Sequence, residues 1–499
     1  MGMNAPEPND GKRGLPGTVS RCRRLAQLPV HKGSLMTETH TPFVPPAPVP
    51  RTTPPSRFEI IRTVMRNPLE LWGEPSFRLE WLKTRFFNER TLIVNHPGLV
   101  RHVLVDNAQN YKMATIRQLV LRPILRDGLL TAEGETWKRS RKAMAPVFTP
   151  RHARGFAKQM LEQSRAFTGR YETAAERGEV RDIAVDMTEL TFDILSATLF
   201  SGQVAGTEAE FAGDIDRLLS TMGRVDPMDL LKAPSWVPRI RRMLGKPVLA
   251  KFRAIVEETM TRRQEMMRAD PQSVPEDFLT LLIRLQGPDG LTFDEIEDNI
   301  ITFIGAGHET TARALGWTLY CLANSPSDRE KVEAEIDDVL SREPDPVKWL
   351  DAMPWTRAAF EEAMRLYPPA PSINRAAIAD DSWDNGKGET VTIEAGTTIL
   401  VMPWTLHRHT KLWDRPGAYI PSRFLPENRG SIDRFQYLPF GVGPRICIGA
   451  TFALQEAVIA LGVLLKDYRF DCTEKTRPWP VQKLTTQPEG GLPMRVSRR

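Results

Sequence analysis

Cysteine is scarce in this 499-residue chain: Cys22, Cys321, Cys447 and Cys472 are all there are, widely spaced and with no CxxC pair. That scarcity excludes a disulfide framework or a cysteine-held structural zinc and suits a reducing compartment. No apolar run approaches the roughly 20 residues that span a bilayer, so the expectation is a soluble protein with no membrane anchor. Histidine is rare too, and His308-Glu309 begins a zinc-protease pattern that fails at once, because Ala312 stands where the second histidine belongs. No zinc-finger or RNA-binding signature and no GxGxxG opening a helix after a strand is present, which argues against nucleic-acid partners and a built-in dinucleotide domain.

What is present is ordinary globular composition, 41% hydrophobic and 26% charged, with length enough for a large core. The net charge of +5 sits almost wholly in the first 35 residues, where Lys12, Arg13, Arg21, Arg23, Arg24 and Lys32 face only Glu7 and Asp10, 6 − 2 = +4. A basic tail is not a basic binding face. Residues 1–55, basic and then Pro-rich, read as a disordered tail, either a transit peptide or the product of a start upstream of Met36, the second being preferred. From residue 56 to 499 helical patterns dominate, broken by short strand-like runs at 90–95 and 390–402, too few for alternating βαβ units. The fold class expected is mostly α with small β-sheets.

The longest helix starts at a capping box, Thr292 with Glu295, and closes at Asn324-Ser325-Pro326. Inside it lies FIGAGHETTA, residues 303–312. Glycine costs a helix interior about 1 kcal/mol relative to alanine, and threonine loses rotamer freedom there, so something must compensate. Gly307 and Thr310 fall on the apolar stripe of Ile296, Ile300, Phe303, Leu315 and Leu319, so the irregular residues point inward.

A second unusual stretch, FGVGPRICIGA at 440–450, sets a cysteine in a glycine-punctuated loop directly before an apolar helix. Amide groups and the helix dipole there favour a thiolate, a nucleophile or a metal ligand. Gly443 and Gly449 leave room beside the sulfur for a broad flat group, and Arg445 offers a planar donor for carboxylates. Most free cysteines are merely small buried hydrophobes, but this setting is not typical of them.

Residues 440–449 resemble the haem-binding signature of the cytochrome P450 family, Phe-x-x-Gly-x-Arg-x-Cys-x-Gly, at every defined position, Phe440, Gly443, Arg445, Cys447 and Gly449. The resemblance implies the P450 fold over residues 56–499, with haem b between the long helix and the cysteine loop and Cys447 as the axial ligand of its iron. It makes Ala306-Gly307-His308-Glu309-Thr310-Thr311 the oxygen-activation segment. Ala306 and Gly307 would leave room for dioxygen, Thr310 would bond back to a carbonyl one turn earlier and bend or widen the helix, and Glu309 would link the site to solvent protons. Glu362 and Arg365 are similar to the family's Glu-x-x-Arg pair, with Arg423 completing a buried network. Ser422 stands beside it where the family often has Glu. Trp137, Arg141 and Arg375 match positions that hold the haem propionates, as Arg445 does.

The function so implied is a haem-thiolate monooxygenase that inserts one atom of O2 into a lipophilic substrate such as a fatty acid, alkane or terpenoid. The alternatives are a haem-thiolate peroxygenase, isomerase or dehydratase and a non-catalytic haem-binding protein; the intact Glu309-Thr310 pair argues against both. The chain ends about 50 residues past Cys447. Electrons are therefore expected from a separate ferredoxin or flavodoxin with an NAD(P)H-dependent reductase, docking on Lys138, Arg139 and Lys142. The pocket is expected to use the segment before Trp137, residues near 206–250 and the stretch from Tyr367 to Arg375. A bacterial type and a cytoplasmic location are expected, with a mitochondrial one second; His407 and His409 are expected to be structural or solvated.

Overall fold

The computed structural model describes residues 41–499 apart from 87–88, 205–217, 219–225, 231–232, 234–235 and 289. The tail up to residue 40 and about half of the pocket segment expected near 206–250 lie outside the described residues. Ten helices of ten residues or more organise the described chain: α1 Arg57–Arg66, α2 Thr115–Leu125, α3 Gly134–Met144, α4 Ala157–Arg177, α5 Ile183–Phe200, α6 Ile240–Ala269, α7 Phe293–Ala323, α8 Pro326–Arg342, α9 Pro354–Leu366 and α10 Ala450–Asp467. The largest sheet joins β1 Trp81–Phe86, β2 Glu89–Val94, β3 Tyr111–Met113, β4 Ile373–Ala377 and β5 Thr398–Val401 in the order β1-β2-β5-β4-β3, only the β2–β5 pairing being parallel. A hairpin of β6 Trp479–Gln482 and β7 Thr486–Glu489 reaches the middle of the molecule.

The centre is α7, 31 residues long and about 47 Å at 1.5 Å per residue. Its N-terminus is the capping box read from the sequence: Thr292 Oγ1 accepts the Glu295 N–H at 3.2 Å and the Glu295 carboxyl accepts the Thr292 N–H at 2.9 Å. Asn324 caps its end, and Pro326, which has no N–H to offer a continuing helix, starts α8. Ile296, Ile300, Ile304, Leu315, Trp317 and Leu319 are all fully buried, and α7 packs chiefly against α5 and α9.

Residues 41–50, part of the tail expected over 1–55, form no helix or strand and lie against the rest of the domain. Tyr419 donates its N–H to the Phe43 carbonyl at 2.8 Å, Tyr367 donates its hydroxyl to the Pro46 carbonyl at 2.8 Å, and the Phe43 ring meets Tyr320 edge-on at 5.8 Å. The reason is physical: prolines arrive with φ fixed and no N–H to satisfy, so docking them costs little entropy and needs partners only for carbonyls. The compact unit runs from Pro42 to Arg499.

Candidate functional site

A cavity of about 2100 Å³ opens beside α7, roughly twice the ~300–1,000 Å³ of an ordinary ligand pocket, so it has room for a large cofactor and a substrate together. Ala306, Gly307 and Thr310 line it from α7, Phe440, Arg445, Cys447 and Gly449 from the loop before α10, Trp137 and Arg141 from α3, and Arg375 from β4. Ala306, in the middle of a core helix, is exposed, because it looks into this space.

The Thr310 hydroxyl donates to the Ala306 carbonyl at 2.8 Å, the expected bond back along the helix. The α-helix continues through this turn from Phe293 to Ala323, so the threonine hydroxyl is an added donor to the Ala306 carbonyl within an uninterrupted helix. Glu309 is 4% exposed and lies outside the cavity wall. Its Oε1 accepts from Thr485 at 2.8 Å and from Gln487, around the turn and strand of the β6–β7 hairpin, with Arg313 3.9 Å away, and its Oε2 is buried without a hydrogen bond. At 100° per residue, neighbours on a helix point apart, which is how Thr310 and Glu309 serve different compartments.

In the cysteine loop, Cys447 donates its N–H to the Phe440 carbonyl at 2.9 Å, closing the loop from 440 to 447 and leaving the cysteine open to the cavity. Burial pushes the thiol above its ordinary value; the Gly449 N–H and the Arg141 guanidinium pull the other way without prevailing. The thiolate expected from loop amides and helix dipole alone therefore needs a cation at the sulfur. The two glycines act differently from one another. Gly443 does not line the cavity: at φ +79° it passes so close to Leu104 that a Cβ would sit 1.9 Å from its carbonyl oxygen. Gly449 does line it, and a Cβ there would meet nothing within 4 Å.

Three guanidinium groups, those of Arg117, Arg375 and Arg445, collect at one side of the cavity. Arg375 is pushed down to about 9 by burial first, then by Arg117 and Arg445, with Glu133 opposing. Arg445 and Arg117 are lowered chiefly by burial, and Arg445 adds to the repulsion on Arg117. Arg141 is lowered by burial and held up by Cys447. Arg445 stacks over the Trp137 ring at 4.5 Å and donates to the Ala132 carbonyl at 2.8 Å. Buried like charges crowded around one carboxyl fit an anionic guest, and the two propionates of haem are such a guest. Arg117, in the first turn of α2 and with a buried Nε lacking a partner, was missed: it is one of two arginines in TIRQLVLRPIL, and nothing in that stretch singles it out.

Glu362 and Arg365 are both fully buried and joined by two bonds, 2.7 and 2.8 Å, so this pair is not a solvated surface one. Arg423 approaches Glu362 at 3.4 Å while donating to the Asp414 and Arg415 carbonyls. Arg365 donates on to the carbonyls of His407, Pro416 and Ala418. His407, fully buried, accepts the Leu438 N–H on Nε2 at 2.8 Å, and burial drives it well below its ordinary value, so it stays neutral. The pair thus reaches the cysteine loop through His407, a link that sequence reasoning undervalued. His409, also buried, bonds the Leu79 carbonyl at 3.2 Å.

The cytochrome P450 family model matches residues 80–494. Cytochrome P450 97B2, chloroplastic, of Glycine max is 28% identical over 83% of this chain and 81% of its own length. Protein LUTEIN DEFICIENT 5, chloroplastic, of Arabidopsis thaliana is 28% identical over 82% and 70%. Leukotriene-B4 omega-hydroxylase 3 of Mus musculus is 29% identical over 80% and 79%. The crystal structure of the cytochrome P450DA heme domain superposes with a TM-score of 0.75 at 23% identity, covering 92% of this chain and 98% of that one, which shows a shared fold.

These relatives overturn the expected cytoplasmic location, since two of them are chloroplastic proteins of plants. Composition was the wrong guide: among the described residues no helix is long and apolar enough to cross a membrane, and that says nothing about the compartment. The fold, the family match and a cavity with a cysteine sulfur at one wall and guanidinium groups at another lead to one conclusion: this chain belongs to the cytochrome P450 family, the monooxygenases whose cofactor is haem b.

Proposed function

We propose that this enzyme oxidises a lipophilic small molecule with O2 and two electrons from a separate ferredoxin or flavodoxin and its NAD(P)H-dependent reductase. When bound, haem supplies dioxygen reduction and oxygen transfer, and a thiolate ligand favours O–O cleavage. The observation that carries the reading is that Cys447 and the Ala306–Thr310 turn line the same cavity.

The protein's own residues would divide the work. Cys447 holds the iron, its negative charge stabilised by that cation, by the Gly449 N–H and by Arg141. Trp137, Arg141, Arg375 and Arg445, with Arg117 close by, hold the propionates. Phe440 sets the turn that aims the sulfur. Thr310, with its hydroxyl fixed by the Ala306 carbonyl, orients a proton toward the oxygen site, and small Ala306 and Gly307 leave that site open. Glu309 serves as proton carrier through the Thr485 and Gln487 side. Glu362, Arg365 and Arg423 fix the loop from behind.

Val120, Ile124, Phe148, Leu195, Phe303 and Ile373 make much of the cavity wall apolar, which supports a lipophilic substrate, as does one relative's name as a leukotriene-B4 omega-hydroxylase. The test is optical. Dithionite-reduced protein with carbon monoxide should give the red-shifted thiolate Soret band, and Cys447→Ser should lose it; an unaltered spectrum in that variant would sink the reading. Screening fatty acids, alkanes and terpenoids for a type I shift then identifies the substrate.

A further inference from the structure

The Glu309 carboxylate is held off the cavity wall by one element and borders an opening into the cavity at another. Side chains two apart in extended chain share a face, so Thr485 and Gln487 both reach Glu309 Oε1 from the β6–β7 hairpin, the threonine hydroxyl at 2.8 Å. Thr486 between them donates its hydroxyl the other way, to the Pro368 carbonyl at 2.6 Å. The strands are pinned: Gln482 donates its N–H to Asn67 Oδ1 at 3.1 Å, Thr486 donates its N–H to the Pro369 carbonyl at 3.1 Å, and Trp317 Nε1 donates to the Thr486 carbonyl at 3.2 Å. The turn between them carries Leu484 to the cavity wall and Thr485 to both that wall and Glu309. A large guest packed on Leu484 therefore presses on the next residue, the one that holds the carboxylate.

The opening is Gly305. Helix side chains lean toward the preceding turn, so the space before Glu309 belongs to Gly305 and Ala306, about 40° and 60° from it around α7. Both line the cavity, and a Cβ at Gly305 would meet nothing within 4 Å. Neither a positive φ nor a close backbone approach calls for glycine there, and it costs the helix stability. Glu309 Oε2 is buried with no hydrogen bond, so the position on the hairpin leaves the carboxylate half satisfied.

We propose that Gly305 is the doorway through which Glu309 turns from the hairpin into the oxygen-binding side of the cavity, and that Thr485 and Gln487 hold it back until a substrate packs on Leu484. This rests on the monooxygenase reading and adds a control to it, proton supply that waits for substrate. The change is a rotation about side-chain bonds, in which no covalent bond forms or breaks. The substrate it favours is an apolar molecule long enough to reach both the Ala306–Thr310 turn and Leu484. Gly305, Thr485 and Gln487 are positioning residues, because they act through Glu309.

Infrared difference spectra of the haem-loaded protein read the carboxylate directly. Adding dodecan-1-ol, at a concentration that gives its full type I shift, should move a carboxylate band that Glu309→Gln lacks. With Thr485→Val and Gln487→Leu combined, the band should stand at its substrate-bound position from the start and not respond. Thr485→Ser should behave as wild type, and Leu484→Ala should respond several-fold less. A hairpin that only braced α7 would lower Tm in these variants without moving the band. In Gly305→Val the band should stay at its substrate-free position. With a plant-type ferredoxin, its NADPH reductase and dodecan-1-ol, hydrogen peroxide released per NADPH should then rise several-fold, and less in Gly305→Ala. A band that responds alike in wild type and in the Thr485→Val, Gln487→Leu double variant, or wild-type peroxide release in Gly305→Val, overturns the proposal. The carbon monoxide band, read on the same samples, separates the two failures: if it is present in those variants, only the doorway falls, and if it is absent in wild type, the monooxygenase reading falls first.

Discussion

At the scale of single residues, the site depends on side chains whose roles are set by what they face. Thr310 presents a hydroxyl to the cavity while anchored to the Ala306 carbonyl. Thr310→Ala should therefore leave the carbon monoxide spectrum intact, cut product formed per NADPH by about 100-fold, the lower end of what positioned proton transfer supplies, and raise peroxide release; Thr310→Ser should recover most of the loss. Unchanged coupling in the alanine variant would remove Thr310 from its role. Arg365 is a different case, fully buried and making two bonds to Glu362 and three to backbone carbonyls. Removing one partner of a buried pair strands the other's charge, so Arg365→Ala should cost about 3–5 kcal/mol in urea unfolding and empty the protein of haem. Loss of activity with normal haem content would instead point to a direct catalytic role.

At the scale of elements, α7 shows why a helix tolerates glycine and threonine in its middle. Burial of Ile296, Ile300, Ile304, Leu315 and Trp317 at either side supplies the packing, at about 25 cal/mol per Å² of apolar surface, against about 1 kcal/mol for each poor helix former. The central turn is then free to be shaped for the cavity. The Pro-rich segment from 42 to 50 is the opposite kind of element, with no internal hydrogen bonds and stability borrowed from Tyr320, Tyr367 and Tyr419. Phe43→Ala should lower unfolding free energy by about 1–3 kcal/mol, less than a fully buried phenylalanine because Phe43 is half-buried. Calorimetry showing no change in Tm would mean the segment does not stay docked in solution.

At the scale of the whole molecule, the proposed electron donor would be received by charge. Of the three cations expected to receive a partner, Arg139 is tied to Glu295, the residue that caps α7, and Lys138 pairs with Glu135, an exposed pair worth little. Lys142 is exposed on the same helix. Docking there should weaken with salt, since the Debye length shrinks from about 10 Å at 0.1 M to about 3 Å at 1 M. Reduction by an acidic ferredoxin should slow several-fold over that range, and less so in Lys142→Gln. A rate indifferent to salt would move the docking site elsewhere.

Much of this was legible in the linear chain because it is local. A capping box, a threonine bonding four residues back, a Glu-x-x-Arg turn and a cysteine between two glycines are each set within a few residues, where spacing dictates geometry. Even there, spacing did not reveal what a side chain meets. Gly443 makes way for the Leu104 backbone, not for a flat ligand, and the bulk of the protein raises the Cys447 thiol that its own loop would lower. Only the tertiary structure gathered Arg117, Arg375 and Arg445 against one wall and linked His407 to both Arg365 and Leu438. These pairs are separated by tens to hundreds of residues. The sequence by itself determined the chemical types available and the elements that carry them; burial and field, which depend on every neighbour in space, were decided by the fold.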